Sequence, residues 1–272
     1  MIETLQSPLA VSGLTLTVAA VPFRGTGSKA AVGVVVHASG SDLQVAEAAG
    51  GFNGSIEVAI AAADADGKIK DSERGTLRLQ LTPETRAHVT QHGIRLLSHL
   101  DLPAGTYQLR VAAVDNHGTT RGSVQYDLDV PDFSKGALSM SGIVVISDAA
   151  RVPLTGDLRF WEQRMPSPPA TQREFSTGDE LTTIAEIYTN GLKPGGRLDF
   201  TTTVENERGT TFFVHRETLS VDATKGKAAT YLHTAPIHLP SIPPGRYVLQ
   251  VRAESSGART LVAVRQIPIS IR

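Results

Sequence analysis

The chain has 272 residues, 40% of them hydrophobic, with no cysteine and a formal net charge of −1. That length fits one large domain or two ordinary ones, and the apolar content supports a packed core rather than disorder as the main state. The near-neutral charge argues against nucleic acid as the main partner, no apolar run reaches the ~20 residues of a membrane helix, and the lack of cysteine excludes disulfides, thiol catalysis and cysteine-based zinc sites.

At the start of the chain, Met1-Ile2-Glu3-Thr4 has neither the basic nor the apolar region of a signal peptide. Ile56, Val58, Ile60 and Ala62 alternate with smaller or polar neighbours, which is the period-two signature of a half-buried strand. Asp66-Gly67 follows as a turn, where glycine tolerates positive φ. One helix is predicted over Pro83–His92: Thr82 can cap it, Pro83 suits its first position, Glu84 favours its dipole and Gly93 can end it. Tyr107, Leu109, Val111 and Ala113 form another alternating strand. A join is expected near Pro131-Asp132-Phe133-Ser134-Lys135-Gly136, separating a domain at 1–133 from one at 134–272. The second domain opens with a long loop, Ser147 to Gly178, containing Pro153, Pro166, Pro168 and Pro169. A structureless stretch of that length is usually functional or disordered.

The later part of the chain repeats the earlier part. Leu102-Pro103-Ala104-Gly105-Thr106-Tyr107 recurs as Ile242-Pro243-Pro244-Gly245-Arg246-Tyr247, at offset 140. Ile56, Val58, Ile60 and Ala62 match Leu198, Phe200, Thr202 and Val204 at offset 142, where Gly67 also meets Gly209. Ser12-Gly13-Leu14 resembles Ser141-Gly142-Ile143. Matches in one order with drifting offsets indicate two homologous domains whose loops have changed length. The expected fold is therefore all-β: two tandem β-sandwiches of immunoglobulin or fibronectin type III kind, with one short helix in the first. Tyr107 and Tyr247, each following Pro-x-Gly-x, are assigned to tyrosine corners, in which the phenol bonds back to upstream backbone.

Four groups of residues invite a chemical reading. His88 and His92 are spaced i, i+4 on the predicted helix and could share a zinc ion, with His99 or Glu84 as a third ligand; the alternative is a solvated helix face. Asp64 and Asp66, with Glu73, imitate part of a calcium loop, but Ala62 and Lys70 stand where such a loop wants oxygen ligands, which favours a plain hairpin turn. His99, Asp101, Asp115 and His117 form a loose cluster along the sequence. In the long loop Phe160, Trp161 and Arg164 offer a contact surface of the kind that dominates interfaces, or else fold back over their own sandwich. No Gly-x-Ser-x-Gly elbow and no phosphate-binding glycine motif occurs in the sequence.

Three segments resemble a known family: Ser7-Pro8-Leu9-Ala10-Val11-Ser12-Gly13-Leu14, Val130 to Gly142 and Arg173 to Leu181. They are similar to the C-terminal region of bacterial proteins described as von Willebrand factor A-domain-related. The resemblance covers essentially the whole chain. It implies an exported protein with an extracellular or envelope location and an A-type domain upstream, and it assigns this region no activity. No Asp-x-Ser-x-Ser adhesion motif occurs in these residues, so no metal site transfers from that domain. The leading expectation is a non-catalytic spacer that contacts a protein or glycan, folds without metal or cofactor and has oligomerisation through exposed strand edges open to it. The competing expectation is a hydrolase of small esters, lactones or glycosides, assisted by zinc or calcium at His88 and His92 or at Asp64 and Asp66.

Overall fold

The computed structural model describes residues 10–48, 50–115, 120–147, 152–167, 169–193, 195–222, 228–256 and 260–272. The fold is all-β, built of mostly antiparallel β-sandwich sheets. In chain order the first strands are β1 (Leu16–Arg24), β2 (Lys29–Ala38), β3 (Ala46–Ala48), β4 (Gly51–Ala63) and β5 (Ile69–Leu81). Helix α1 (Pro83–His92) precedes β6 (Ile94–Pro103), β7 (Gly105–Asp115) and β8 (Arg121–Val130). Next come β9 (Leu138–Met140), β10 (Val144–Ser147), β11 (Leu154–Gly156), helix α2 (Leu158–Glu162) and β12 (Glu174–Phe175). The last strands are β13 (Glu180–Asn190), β14 (Arg197–Asn206), β15 (Thr211–Ser220), β16 (Ala228–His238), β17 (Gly245–Ser256) and β18 (Leu261–Ile271).

Packing divides the chain into two compact units. Unit 1 comprises Met1–Ala20, Ala31–Pro131 and Ala150–Pro166, and unit 2 comprises Val21–Ala30, Asp132–Ala149 and Ser167–Arg272. This differs from the contiguous division at residue 133: the hairpin tip at 21–30 belongs with the later residues, and much of the long loop with the earlier ones. The reason for the first exchange lies in Arg24, whose amide donates to the Tyr188 hydroxyl (3.0 Å) and whose guanidinium donates to Thr230 (2.8 Å), all within unit 2.

In unit 1, one sheet has the order β1-β2-β6-β11; the other runs β3-β4-β7-β8, with β5 also on β4. Helix α1 keeps the bounds read from the sequence: Thr82 Oγ1 accepts from the Thr85 amide (3.2 Å), and Gly93 ends it at φ +74°. The second helix, α2, was not expected. It forms because Asp157 caps it, accepting from the Phe160 amide (3.1 Å), and it carries the segment back over unit 1. There β11 pairs in parallel with β6, and Trp161 lies against Gly33, where even a Cβ would approach the indole to 2.6 Å. Gly33 is thus the missing side chain that makes room for the ring.

In unit 2, β10-β13-β16 form one sheet, with β9 also on β13, and β12-β18-β17-β14-β15 form the other. β16 alternates exposed and buried residues along its whole length. Of its inward residues, Ala229, Tyr231 and Ile237 meet Leu198, Phe200, Val204, Leu249 and Val251 in one core.

The two units repeat each other in detail. In both, the first strand of a long hairpin shifts register at the equivalent place, between Ala62 and Ala63 in β4 and between Val204 and Glu205 in β14. The turns are also alike. Asp64 Oδ1 accepts from the amides of Asp66 and Lys68, and Asn206 Oδ1 accepts from those of Arg208 and Thr210. Gly67 and Gly209 then take φ of +77° and +75°. The tyrosine corners match too: the Tyr107 hydroxyl donates to the Pro103 carbonyl (2.8 Å), and that of Tyr247 to the Pro243 carbonyl (2.6 Å).

Tyr247→Phe removes that bond without removing the ring, so it is expected to lower stability by about 1 kcal/mol. Urea unfolding followed by circular dichroism measures it, and an unchanged midpoint would count against the corner. Trp161, the one tryptophan in the sequence, should emit at short wavelength and resist acrylamide quenching. Gly33→Val should cost about 1–3 kcal/mol by overpacking and shift that emission to the red.

Candidate functional site

The residues singled out in the sequence do not converge. His88 and His92 are neighbours on α1, with ring centroids 4.6 Å apart. His99, their expected third partner, instead pairs with Asp157 (Nδ1–Oδ2, 2.7 Å) and stacks on Phe160 at 4.7 Å. Glu84 is an exposed first-turn residue. Asp101 is exposed on β6, whereas Asp115 is buried at the end of β7 in the other sheet, where it accepts from the Gln44 amide (2.7 Å). His117 lies outside the described residues. Among the described residues no group of three or more His, Asp or Glu side chains is arranged to hold a metal ion.

The turn of Asp64 and Asp66 is an ordinary hairpin turn. Asp64 spends Oδ1 on two amides and Oδ2 on Lys70 Nζ (2.7 Å). The Lys70 bond holds the Asp64 carboxyl below the usual carboxylate range. A lysine already fills the place of a cation, and Glu73 is turned to the Ser98 hydroxyl on β6.

The expectation of an exposed contact surface at Phe160 and Trp161 requires correction. Trp161 is 2% exposed and Phe160 7%, because α2 lays both rings on the outer face of the β2–β6 sheet. Arg164 stacks its guanidinium on Phe160 at 4.0 Å and donates to the Phe160 carbonyl (3.0 Å). Phe160 and Trp161 are thus buried against unit 1, with Arg164 half-buried beside them.

Two constellations in unit 2 escaped the reading of the sequence. The first is a hydroxyl–imidazole–carboxylate chain. His233 Nε2 lies 2.8 Å from Thr202 Oγ1, and Nδ1 lies 2.9 Å from Glu217 Oε2. A carboxylate only accepts, so Nδ1 carries the hydrogen and Nε2 accepts from Thr202. The connectivity is that of a nucleophile, base and orienting acid. Its setting differs: Thr202 and His233 are both 0% exposed, so no substrate atom reaches the hydroxyl. The chain ties β14 and β15 of one sheet to β16 of the other. Burial lowers the His233 pKa, against the opposing pull of Glu217 and with help from His215, whose ring centroid is 5.8 Å away. The available signal was a histidine at an inward, otherwise apolar position of an alternating strand.

The second is a depression of about 500 Å³ at one end of unit 2. The β14–β15 turn forms one wall with Asn206, Glu207 and Arg208; the tyrosine-corner loop, Pro243 to Tyr247, forms the other, and Phe212 lies between. Phe212 is 36% exposed and meets the Tyr247 ring edge-on at 5.5 Å. Both walls are rigid: Asn206 fixes its turn through two amides, and Tyr247 pins the prolines through the Pro243 carbonyl. At the equivalent corner of unit 1, at offset 142, Lys70 takes the place of Phe212 and reaches across to Asp64.

Because the folded state favours neutral His233, the sign of its pH dependence follows. Its contribution is fully present above the ordinary histidine value of 6.5 and is lost as pH falls through the lowered folded value. An NMR titration of the His233 ring should therefore give a midpoint below 6.5, and a midpoint at or above that value would refute the buried neutral state.

No family model matches the chain, and no curated protein matches it. Among solved structures it is similar to β-glucuronidase 2 of Bacteroides uniformis (14% identity over 89% of this chain and 26% of that one, TM-score 0.32). It is also similar to a glycosyl hydrolase family 2 member from Bacteroides cellulosilyticus (13%, 89% and 27%, TM-score 0.30). A third is red sea bream transglutaminase (12%, 96% and 32%, TM-score 0.26). The chain spans about a quarter to a third of each of these proteins. Likeness at this level says nothing of a shared reaction.

Proposed function

We propose that this chain is a non-catalytic binding and spacer module of an exported bacterial protein, meeting a glycan or protein partner through loops at the end of unit 2. One observation carries the reading. The hydroxyl–imidazole–carboxylate chain of unit 2 is sealed in the core, while the open depression is lined mainly by rings, prolines and guanidiniums, groups that hold a ligand, with Glu207 its single carboxylate and no histidine in its lining. Sandwich strands supply a stiff frame, and recognition is carried by the loops that the frame positions. The exported setting, and an A-type domain upstream, rest on the resemblance of the Val130–Gly142 and Arg173–Leu181 segments. No helix among the described residues is long and apolar enough to cross a membrane. The hydrolase alternative loses its main motivation, since His88 and His92 are not joined by His99, Asp101 or Asp115.

The test is thermal unfolding with chelator, with calcium and with zinc, beside turnover of a chromogenic ester. The expected result is a cooperative transition in chelator, at a temperature that neither metal raises. A ligand of the folded state alone at one hundred times its dissociation constant adds about 2.7 kcal/mol, which a melting curve detects readily. Chelator-sensitive turnover lost in His88→Ala would overturn the proposal in favour of an enzyme.

A further inference from the structure

We propose that the depression between the Asn206 turn and the Tyr247 corner binds a carboxylate-bearing sugar unit, the uronic acid of an acidic glycan. This deepens the binding reading above and rests on it. Size is the first argument. About 500 Å³ is the scale of a small-ligand pocket, whereas a folded protein partner needs a contact of roughly 800 Å² on each side. Charge is the second. Arg208 and Arg246 are exposed on opposite walls, and neither guanidinium makes an ion pair among the described residues. Glu207 is the single acid in the lining, so the depression keeps a net positive charge and a surplus of forked donors, the geometry that grips a carboxylate with two bonds.

The floor gives the third argument. Phe212, half-turned to solvent on the edge of Tyr247, and the pair Pro243-Pro244 offer an apolar surface on which the C–H face of a pyranose can lie. The internal repeat gives the fourth. In unit 1 the matching positions of Phe212, Arg208 and Arg246 are Lys70, Asp66 and Thr106, and Lys70 is occupied by Asp64. One copy of the corner neutralises itself, and the other leaves ring and cations open.

The experiment is an NMR titration of the full isotope-labelled chain with trigalacturonate, its methyl ester and a hexaglutamate peptide. Trigalacturonate is expected to shift the amides of 206–212 and 245–247 saturably. The methyl ester should bind at least tenfold more weakly. Phe212→Ala and the pair Arg208→Ala with Arg246→Ala should each weaken binding tenfold or more while the chain still unfolds in one cooperative transition, and the arginine pair, fully at exposed positions, should leave the melting temperature unchanged. Equal binding of the ester, or binding that these variants do not affect, overturns the assignment. Tighter binding of hexaglutamate overturns the sugar and leaves a binding module with a peptide ligand. Saturable shifts elsewhere overturn this site and leave the module reading intact, whereas chelator-sensitive ester turnover would remove that reading itself.

Discussion

Tyr247 governs one end of unit 2 through a single hydrogen bond. Its hydroxyl, donated to the Pro243 carbonyl, gives a buried phenol its partner and fixes the loop that leads into β17. A buried hydroxyl without an acceptor costs more than the bond itself contributes, so the loop is held in the one arrangement that supplies that carbonyl. The fixed loop then places Pro244 and Arg246, and the same ring receives Phe212 from β15. A bond that stabilises the fold therefore also sets the width of the depression. Tyr107 makes the same bond in unit 1, but the corner beside it closes on a salt bridge.

Much of this was legible in the sequence because duplication doubles each local signal. The pattern Pro-x-Gly-x-Tyr at two positions, and the turn glycines Gly67 and Gly209 at offset 142, predict the corners and hairpins that the structure contains. Helix α1 was readable from Thr82, Pro83 and Gly93, whose preferences are local. What could not be read were the long-range exchanges. Nothing near Trp161 announces that its ring will rest on Gly33, well over one hundred residues earlier, or that residues 21–30 will pack with β13 and β16. An arginine-rich stretch with one tryptophan looks the same whether it covers a sheet or faces solvent, and only the cap at Asp157 hints at the helix that turns it inward.

The candidate site shows the same limit. Phe212 and Arg208 lie in one hairpin, but Arg246 lies beyond a further strand, at the start of β17, and only the fold brings the three to one rim. The repeat held an unused clue. Setting the copies against each other places Phe212 on Lys70 and Thr202 on Ile60, which marks where unit 2 has departed from its partner. Ile60 is an ordinary core residue, whereas Thr202 bonds to a buried histidine. Divergence between duplicated domains thus points to both polar constellations of unit 2, where composition and motif searches find neither.

The interleaved division of the chain has a consequence for how it can be dissected. Each unit is completed by a segment from the other side of residue 133: unit 1 by 150–166, unit 2 by 21–30. Cutting the chain once at the apparent join would strip Gly33 of the indole that covers it and Tyr188 of Arg24. Neither half would carry its own complete set of parts. The two units are therefore mutually dependent in their covalent make-up. An insertion at the join leaves every part present, whereas a truncation there removes a piece from both.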